Sequence, residues 1–408
     1  MTPPFGSTVP GNRWDLAEAL TPEPDLRVSV VVSHYEQPRE LARTLAALAH
    51  QTRVPDEIVV TDDGSAVAPT VPDGVRLVRQ EDHGFRVAAA RNHGVEATTG
   101  DLLVLLDADT APEPDCVAAL VDLPSRLPEC LVVGRRRYAS YDEGGGSRRE
   151  LPEPAWLADA YVASRDLLDA DETSHRFVIG AVLACSRWWW DEVAGFDESF
   201  SSYGGEDWDL AHRSWVRGGL LAHRPDAVAW HDGPDAGPRG DAGSLVESVA
   251  VADRVAAPGT GWRGLLRGPA DVVVACAPVM TPTELLVTVD SLWSSVPTAR
   301  VQLSAEHRRL VGEDPRLVDV VGDDVRLLLD LRHGAMGDWV SALRGLDGPD
   351  GYAARDVGVG TLTDLRLRRR AERWGRAALA PLHPEVDRSL TPWAPRHTLE
   401  AWVGGWAR

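Results

Sequence analysis

The sequence predicts an α/β protein: a Rossmann-like, mostly parallel sheet flanked by helices, followed by a smaller α/β domain. A strand at 27–32, a helix opened by Pro38 and a second strand at 57–60 form a strand–helix–strand unit. Such units make parallel pairs with right-handed crossovers. The run 102–106 has five apolar residues without polar alternation, which is typical of a strand buried on both faces of a parallel sheet.

Weaker signals complete the main domain. A strand at 75–78 precedes a helix at 87–98, which leads back to the apolar run. Three later segments are also predicted strands, and they are 131–134, 177–185 and 227–230.

The chain divides into four predicted segments. They are an N-terminal extension (1–25), the main α/β domain (26–235), a linker rich in Gly, Pro, Asp and Ala (236–268) and a C-terminal α/β domain (269–408). Residues 1–12, with several Pro and Gly breakers, are expected to be disordered.

The C-terminal domain repeats the opening pattern. A helix at 283–294 follows a strand at 271–276, and further strands are predicted at 299–303 and 327–332. The third strand ends in Asp330-Leu331-Arg332, which is similar to the end of the apolar run, with Arg332 in place of its second acid. We expect a degenerate repeat of the first domain that has lost a metal site. The alternative is an unrelated α/β cap.

Composition excludes several classes of protein. The 408 residues carry a formal charge of −20, and every basic residue other than histidine is arginine. Nucleic acid and anionic membrane surfaces are therefore poor partners, and P-loop or Schiff-base chemistry, which needs lysine, is excluded. No apolar stretch is long enough for an integral membrane segment. Four widely spaced cysteines without C-x-x-C favour a cytoplasmic setting, and the Ala-, Gly- and Arg-rich composition is typical of a GC-rich bacterial genome.

An acidic pair follows the apolar run. Asp107 and Asp109 lie at the carboxyl end of the predicted strand, which is the edge where ligands of open α/β sheets bind. Two carboxylates spaced i, i+2 repel each other unless a cation lies between them, so a divalent metal, Mn²⁺ or Mg²⁺, is expected. The alternative is a strand-end turn with solvated acids.

Polar residues also follow the neighbouring strands. Tyr35 follows the first strand and Asp62-Asp63 the second, so all of them should share one edge with the acidic pair. A nucleotide-sized cleft is expected there. The alternatives are local ones: ordinary turn chemistry at 62–65, a helix cap at Arg86 and a solvated helix position at Arg91.

A second acidic pair, Glu206-Asp207, opens a helix. Helical spacing places Asp207 on the apolar face, and the helix dipole favours its ionised form. Asp207 is therefore a candidate general base, with a surface N-cap acid as the alternative. His231 ends the last strand of the domain and is a candidate third metal ligand, in a set that suits Mn²⁺ somewhat better than Mg²⁺.

Together these motifs resemble family 2 inverting glycosyltransferases of the GT-A fold. The resemblance covers residues 26–235 and keeps the family's motif order. The nucleotide-sugar half is carried by 28–35, 60–65, 90–94 and 107–109, and the acceptor half by 195–198 and 204–210. The acceptor motif looks closest to galactosyl-, N-acetylgalactosaminyl- and chondroitin-polymerase-type enzymes.

The resemblance implies roles for the matching donor-side residues. Tyr35 and Asp62 would contact uracil and ribose, and Arg86 or Arg91 would line the nucleotide pocket. The other residues expected in this pocket are Ser33, Glu36, Asp63 and Ala108.

The resemblance also implies the catalytic set. Asp107 and Asp109 would hold the ribose and the metal, with His231 as a further ligand. Asp207 would be the base and Glu206 an acceptor contact.

The implied activity is metal-dependent, inverting transfer of a sugar from a UDP-sugar to a hydroxyl on a glycan, a lipid-linked or a small-molecule acceptor. Oligomerisation through the C-terminal domain is compatible with this activity. Two rivals remain. A nucleotidyltransferase would need a Gly-rich or Lys-bearing phosphate loop, and a non-catalytic carbohydrate-binding scaffold would use the tryptophan run 188–190 as a sugar platform.

Overall fold

The computed structural model describes residues 2–142, 148–201, 204–234, 248–255, 271–343, 346, 351–393 and 398–404. The chain separates into two units, Met1–Trp215 with Gly219–Val251 and Val216–Gly218 with Ala252–Arg408. The boundary after Val251 falls inside the predicted linker 236–268, most of which lies outside the described residues. Within the described part, no helix combines the length and the apolar character needed to cross a bilayer.

The first unit is built on a nine-stranded sheet. Its strands are β1 Val28–His34, β2 Glu57–Asp62, β3 Val75–Arg79, β4 Leu102–Asp107, β5 Thr110–Pro112, β6 Cys130–Tyr141, β7 Arg148–Leu151, β8 Val182–Ser186 and β9 Leu220–Asp232. Their order is β3-β2-β1-β4-β8-β6-β9-β5, with β7 paired to β6. The first four strands in this order run parallel and β8 is antiparallel to β4, so the predicted α/β class is confirmed.

Helices cover both faces of this sheet. They are α1 Pro38–Leu48, α2 Val87–Glu96, α3 Cys116–Asp122, α4 Ala155–Ala163, α5 Arg187–Glu192 and α6 Glu206–Val216. Alternate residues of the central strands divide between two core clusters: Val30 and Val32 pack with α1 and α3, whereas Val31, Leu103 and Leu105 pack with α2, α5 and α6. This division is the period-2 pattern of strands buried on both faces, as predicted.

The parallel register brings the strand ends together. His34 at the end of β1 pairs with Asp62 at the end of β2, and Ser33 pairs with Asp107 at the end of β4. The predicted polar edge of the sheet therefore exists, and the strand ladder positions it.

The N-terminal segment is packed, and the prediction of disorder over 1–12 was wrong. Thr8, Val9 and Asn12 are buried. The Asn12 side chain donates to the carbonyls of Leu167 and Leu221, at 2.6 and 2.9 Å. Proline and glycine content described only the local backbone, whereas these buried long-range hydrogen bonds decide whether the segment is ordered.

Two predicted strands differ in extent. β8 begins at Val182 and not at residue 177, because Ser174–Phe177 forms a 3₁₀ turn before it. β9 begins at Leu220 and is longer than the predicted 227–230.

The tryptophan run lies on α5, where Trp189 and Trp190 are buried in the core.

The second unit has a six-stranded sheet of its own. Its strands are β10 Val272–Cys276, β11 Arg300–Gln302, β12 Leu317–Val318, β13 Leu327–Leu331, β15 Ala354–Asp356 and β16 Gly360–Asp364, while β14 Ala335–Gly337 pairs with β17 Leu390–Pro392. Its helices include α7 Pro282–Ser295, α8 Ala305–Val311, α9 Trp339–Ala342, α10 Leu365–Trp374 and α11 Leu399–Val403. The order β12-β11-β10-β13-β16 and its strand directions repeat those of β3-β2-β1-β4-β8, as the predicted repeat requires.

The register of the repeat corrects one predicted correspondence. In both ladders the first residues of the two strands pair with each other, Val28 with Leu102 and Val272 with Leu327. When Leu327 is aligned with Leu102 in this way, Arg332 stands at the position of Asp107, and Gly334 at the position of Asp109. The predicted placing of Arg332 at the second acid was therefore shifted by two residues, and the repeat has no carboxylate at either position.

Candidate functional site

The ends of β1 and β4 are joined through Asp107. Asp107 Oδ1 accepts hydrogen bonds from Ser33 Oγ at 2.7 Å and from Arg91 Nη2 at 2.8 Å. Burial opposes ionisation here, but the charge and hydrogen bond of Arg91 outweigh it and lower the pKa of Asp107. Ala108, the residue between the two acids, is fully buried and its backbone N–H donates to the Ser33 carbonyl. This short ladder holds Asp107 as a carboxylate.

Asp109 points away from Arg91 and towards β9. Its Oδ2 accepts a hydrogen bond from Gln37 Nε2 at 2.8 Å and lies 3.5 Å from His231 Nε2. Burial and, after it, the charge of Asp107 raise the pKa of Asp109. His231 Nδ1 faces the Gly233 carbonyl at 3.2 Å. When Nδ1 donates to that carbonyl, the Nε2 lone pair faces a carboxylate oxygen, and a cation or a proton between them satisfies both.

The side chains at this position are of the types that bind a divalent cation. Two of the three predicted ligands, Asp109 and His231, lie next to each other. The third, Asp107, uses its Oδ1 to accept the hydrogen bond of Arg91. Carboxylate oxygen and imidazole nitrogen are ligands that Mn²⁺ accepts. Among the described residues, however, no three His, Cys, Asp or Glu side chains lie close enough together to form a ready metal cluster.

Asp62 lies beneath the surface in a closed network. Its Oδ1 accepts hydrogen bonds from the Ser65 hydroxyl and pairs with His34 Nδ1 at 2.7 Å, and its Oδ2 accepts from Arg79 Nε at 2.8 Å. Burial opposes ionisation, but these hydrogen bonds lower the pKa of Asp62. Asp62 has no exposed surface. Its hydrogen bonds to Ser65 and Arg79 hold the loops around the strand ends.

Asp63 joins this network to the loop before α2. Its Oδ2 accepts the backbone N–H of Arg86 at 3.0 Å, and its Oδ1 accepts from Gln80. The Arg86 guanidinium donates to the carbonyl of Glu81 on the exposed side. The loop that carries Arg86 is thereby fixed against the end of β2.

Tyr35 and Glu36 form the exposed rim of the same edge. The Tyr35 side chain is exposed, and the charge of Asp82 raises its pKa. Glu36 adopts a left-handed backbone with φ of 54°. Its N–H donates to Ser65 Oγ and its carboxylate accepts from the Ala66 N–H, so the turn is held in one shape.

The second acidic pair opens α6 beside the first site. Glu206 is buried, and its Oε1 accepts Arg91 Nη1 at 3.0 Å. Burial and the charge of Asp207, opposed by Arg91, raise the pKa of Glu206 to about 7. Asp207 is half-buried; its oxygens accept the backbone N–H groups of Gly180 at 2.9 Å and Trp208 at 2.8 Å. Burial raises the pKa of Asp207, although these hydrogen bonds oppose the shift.

Sequence reasoning missed three residues of this site: Gln37, Arg136 and Gly180. Gln37 holds Asp109, and Gly180 holds Asp207. The charge of Arg136, on β6, lowers the pKa of Asp107 and partly offsets the raised pKa of Asp207. The Gly-Arg-Arg-Arg-Tyr run at 134–138 is a signal that could have found Arg136, since successive arginines in a strand alternate between its faces.

Comparison with known proteins identifies the class of this domain. Residues 29–185 match Glycosyl transferase family 2, and residues 166–229 match the family described as N-terminal domain of galactosyltransferase. The two matches overlap and together contain Asp107, Arg91 and the Glu206-Asp207 pair. The resemblance to family 2 glycosyltransferases that the motifs predicted is therefore confirmed for residues 29–185.

The chain matches less than half the length of each of three similar proteins. This chain is 28% identical to the hyaluronan synthase of Pasteurella multocida and 28% identical to the chondroitin synthase of Escherichia coli, in each case over 51% of its residues. The matches cover only 24% of the hyaluronan synthase and 35% of the chondroitin synthase. A validoxylamine A glucosyltransferase of Streptomyces hygroscopicus subsp. limoneus is 30% identical over 47% of this chain and 48% of its own length. A crystal structure of GalNAc-T7 with UDP, GalNAc and Mn²⁺ aligns with a TM-score of 0.41 at 20% identity, over 56% of this chain and 47% of that chain.

Proposed function

We propose that the first unit transfers a sugar from a nucleotide-sugar, preferably a UDP-sugar, to a hydroxyl acceptor with inversion at the anomeric carbon. The observation that carries this proposal is the ion network Asp107–Arg91–Glu206, with bonds of 2.8 and 3.0 Å. It joins the acid at the carboxyl edge of the sheet to the acidic pair at the start of α6. A donor at the first and an acceptor at the second would meet across a short distance.

Asp207 is the proposed base. It is half-buried, whereas the neighbouring Glu206 is buried and paired with Arg91, so Asp207 is the carboxylate that a substrate hydroxyl can reach. Asp207 takes the proton of that hydroxyl as the oxygen forms its bond to the anomeric carbon. The bond from that carbon to the diphosphate breaks with its electron pair on the diphosphate oxygen. A single displacement from the opposite face inverts the configuration.

Asp109 and His231 are the proposed holders of Mn²⁺ or Mg²⁺, with Asp107 at the ribose and the metal. When bound, the cation supplies positive charge that stabilises a leaving diphosphate. Gln37 fixes the Asp109 carboxylate by its hydrogen bond, and the Gly233 carbonyl orients the His231 ring.

The nucleotide is proposed to lie along the rim of this edge. The exposed ring of Tyr35 offers a stacking face for uracil. Ser33, Ala108 and the held turn at Glu36 shape the floor, and Arg86 faces the entrance. Asp62 and Asp63 act by fixing these loops, since the oxygens of both accept hydrogen bonds inside the protein.

The carbohydrate-binding rival finds little support in the tryptophan run, because Trp189 and Trp190 are buried and Trp188 is half-buried, so the run presents no continuous platform. The acceptor is proposed to be a glycan, a lipid-linked or a small-molecule hydroxyl.

We place the reaction in the cytoplasm, because the four cysteines are free and buried, as in proteins of a reducing compartment. Oligomerisation through the C-terminal domain stays part of the proposal.

The proposal is tested by turnover of the full chain with a panel of nucleotide-sugars and acceptors in Mn²⁺. We expect Asp207→Asn to lose turnover by about 10²-fold or more while UDP-sugar binding, measured by calorimetry, is retained. Asp73→Asn, at an exposed position, is the matched control and should keep full activity. Unchanged turnover in Asp207→Asn would show that another group is the base.

A further inference from the structure

Arg91 is an interior residue and not part of the pocket surface. Its side chain is 4% exposed, and its guanidinium donates Nη2 to Asp107 and Nη1 to Glu206. The ring centroid of Phe196 lies 5.2 Å from its Cζ. The resemblance offered Arg86 or Arg91 for the nucleotide pocket, but both Nη groups of Arg91 are paired inside the protein and the side chain is buried.

Gly180 makes the room that this placement needs. A Cβ at residue 180 would lie 2.8 Å from Arg91 Nη1 and 3.2 Å from Cζ, closer than side chains normally approach. The backbone N–H of the same residue donates to Asp207 Oδ2 at 2.9 Å. One glycine therefore positions both the arginine and the proposed base.

The acidic pair needs a countercharge. Glu206 and Asp207 are neighbours on the first turn of α6, where Glu206 is buried and Asp207 is half-buried. Two adjacent carboxylates that are partly shielded from water repel each other, and one of them tends to hold a proton. Among the described residues, Asp207 also interacts electrostatically with Arg136 of β6 and with Tyr161 of α4, a buried phenol whose pKa burial raises. Arg91 is the cation in direct contact with Glu206.

We propose that Arg91 is a positioning residue that ties the donor-side acid Asp107 to the acceptor-side acid Glu206 and supplies the countercharge for the Glu206–Asp207 pair, without touching substrate. This inference rests on the proposed function, since it assigns the two ends of the network to donor and acceptor. Both guanidinium arms are used, so the planar fork of arginine is required and an ammonium group cannot replace it.

The first test is the pH profile of kcat. Arg91→Gln removes the charge that favours ionised Glu206 and Asp207, so the acidic limb should move to higher pH and kcat at neutral pH should fall by about 10²-fold. KM for the donor should change little, because Arg91 does not contact it. Arg91→Lys should restore the pH profile in part, because the positive charge remains. It should not restore the full kcat, because an ammonium group cannot keep the paired hydrogen bonds to Asp107 and Glu206. Arg39→Gln, at an exposed arginine of α1, is the control and should match the wild type.

The double variant Arg91→Gln/Glu206→Gln separates electrostatics from packing. Removing both partners also removes the unpaired buried charge, so the acidic limb should return towards its wild-type position. A merely structural arginine would instead give additive losses and an unmoved limb. Thermal unfolding of each variant shows that it is folded.

A readout independent of turnover keeps this inference separate from the proposed function. A ¹³C NMR titration of labelled glutamate carboxyls, with Glu206 assigned through Glu206→Gln, should show a higher pKa of Glu206 in Arg91→Gln than in the wild type. An unchanged Glu206 pKa, or a donor KM that rises while the pH profile stays, would overturn the role of Arg91. A wild-type chain that transfers no sugar would refute the proposed function and leave the NMR result to decide the role of Arg91.

Discussion

Gly180→Ala is a demanding perturbation because it adds one methyl group at a place where two hydrogen-bonded groups meet. The new Cβ would lie 2.8 Å from Arg91 Nη1, whereas ordinary contacts begin at 3.4 Å. The guanidinium must therefore retreat by about 0.6 Å (3.4 − 2.8) or the 180 backbone must move away from Asp207. The guanidinium is not free to move, because it is held by Asp107 Oδ1 at 2.8 Å and by Glu206 Oε1 at 3.0 Å.

We expect this overpacking to lower the free energy of unfolding by about 1–3 kcal/mol. A displacement of this size in a catalytic array also costs up to about 10²-fold in rate. Urea unfolding and steady-state kcat measure the two effects. The matched control is the double variant Gly180→Ala/Arg91→Ala: without the guanidinium there is no clash, so adding the methyl group to Arg91→Ala should cost much less stability than adding it to the wild type. If Gly180→Ala keeps wild-type stability and kcat, the steric argument is refuted.

Three further predictions address the proposed donor site and the acidic pair. Asp109→Asn should abolish the metal-dependent part of UDP binding in calorimetry, and wild-type binding that persists in chelator would contradict the proposed metal site. Tyr35→Ala should weaken UDP binding by about 1–3 kcal/mol, the worth of one base stacked on an aromatic ring; equal affinity would exclude stacking. Glu206 has a pKa raised from 4.5 to about 7, so the folded chain holds a proton that the unfolded chain has released, and stability should fall as pH rises across that interval. Glu206→Gln should flatten that slope in urea titrations at several pH values, and an unchanged slope would assign it to other groups.

The repeat in the second unit shows how far sequence similarity goes. Three strands and a helix in the right order predicted a second copy of the first sheet, and the strand order agrees. The correspondence of individual residues did not follow from the letters, because Asp330 looks like Asp107. The hydrogen-bonded ladder sets the register, and it places Arg332 there instead.

Local patterns alone determined the central strands and the acids that end them. A strand buried on both faces must be apolar throughout, and a parallel sheet must gather its strand ends at one edge, so the positions of Tyr35, Asp62 and Asp107 could be predicted. The order of motifs along the chain was enough to place the domain in its family.

Tertiary structure decided what each acid does. Asp107 and Asp109 are two residues apart, yet one turns to Arg91 and the other to Gln37 and His231. Arg91 and Glu206 are 115 residues apart and share a hydrogen bond. Periodicity reports which face of an element a residue occupies, but the partner on that face comes from another part of the chain. In a buried site that partner sets whether a carboxylate is paired, protonated or available to a substrate.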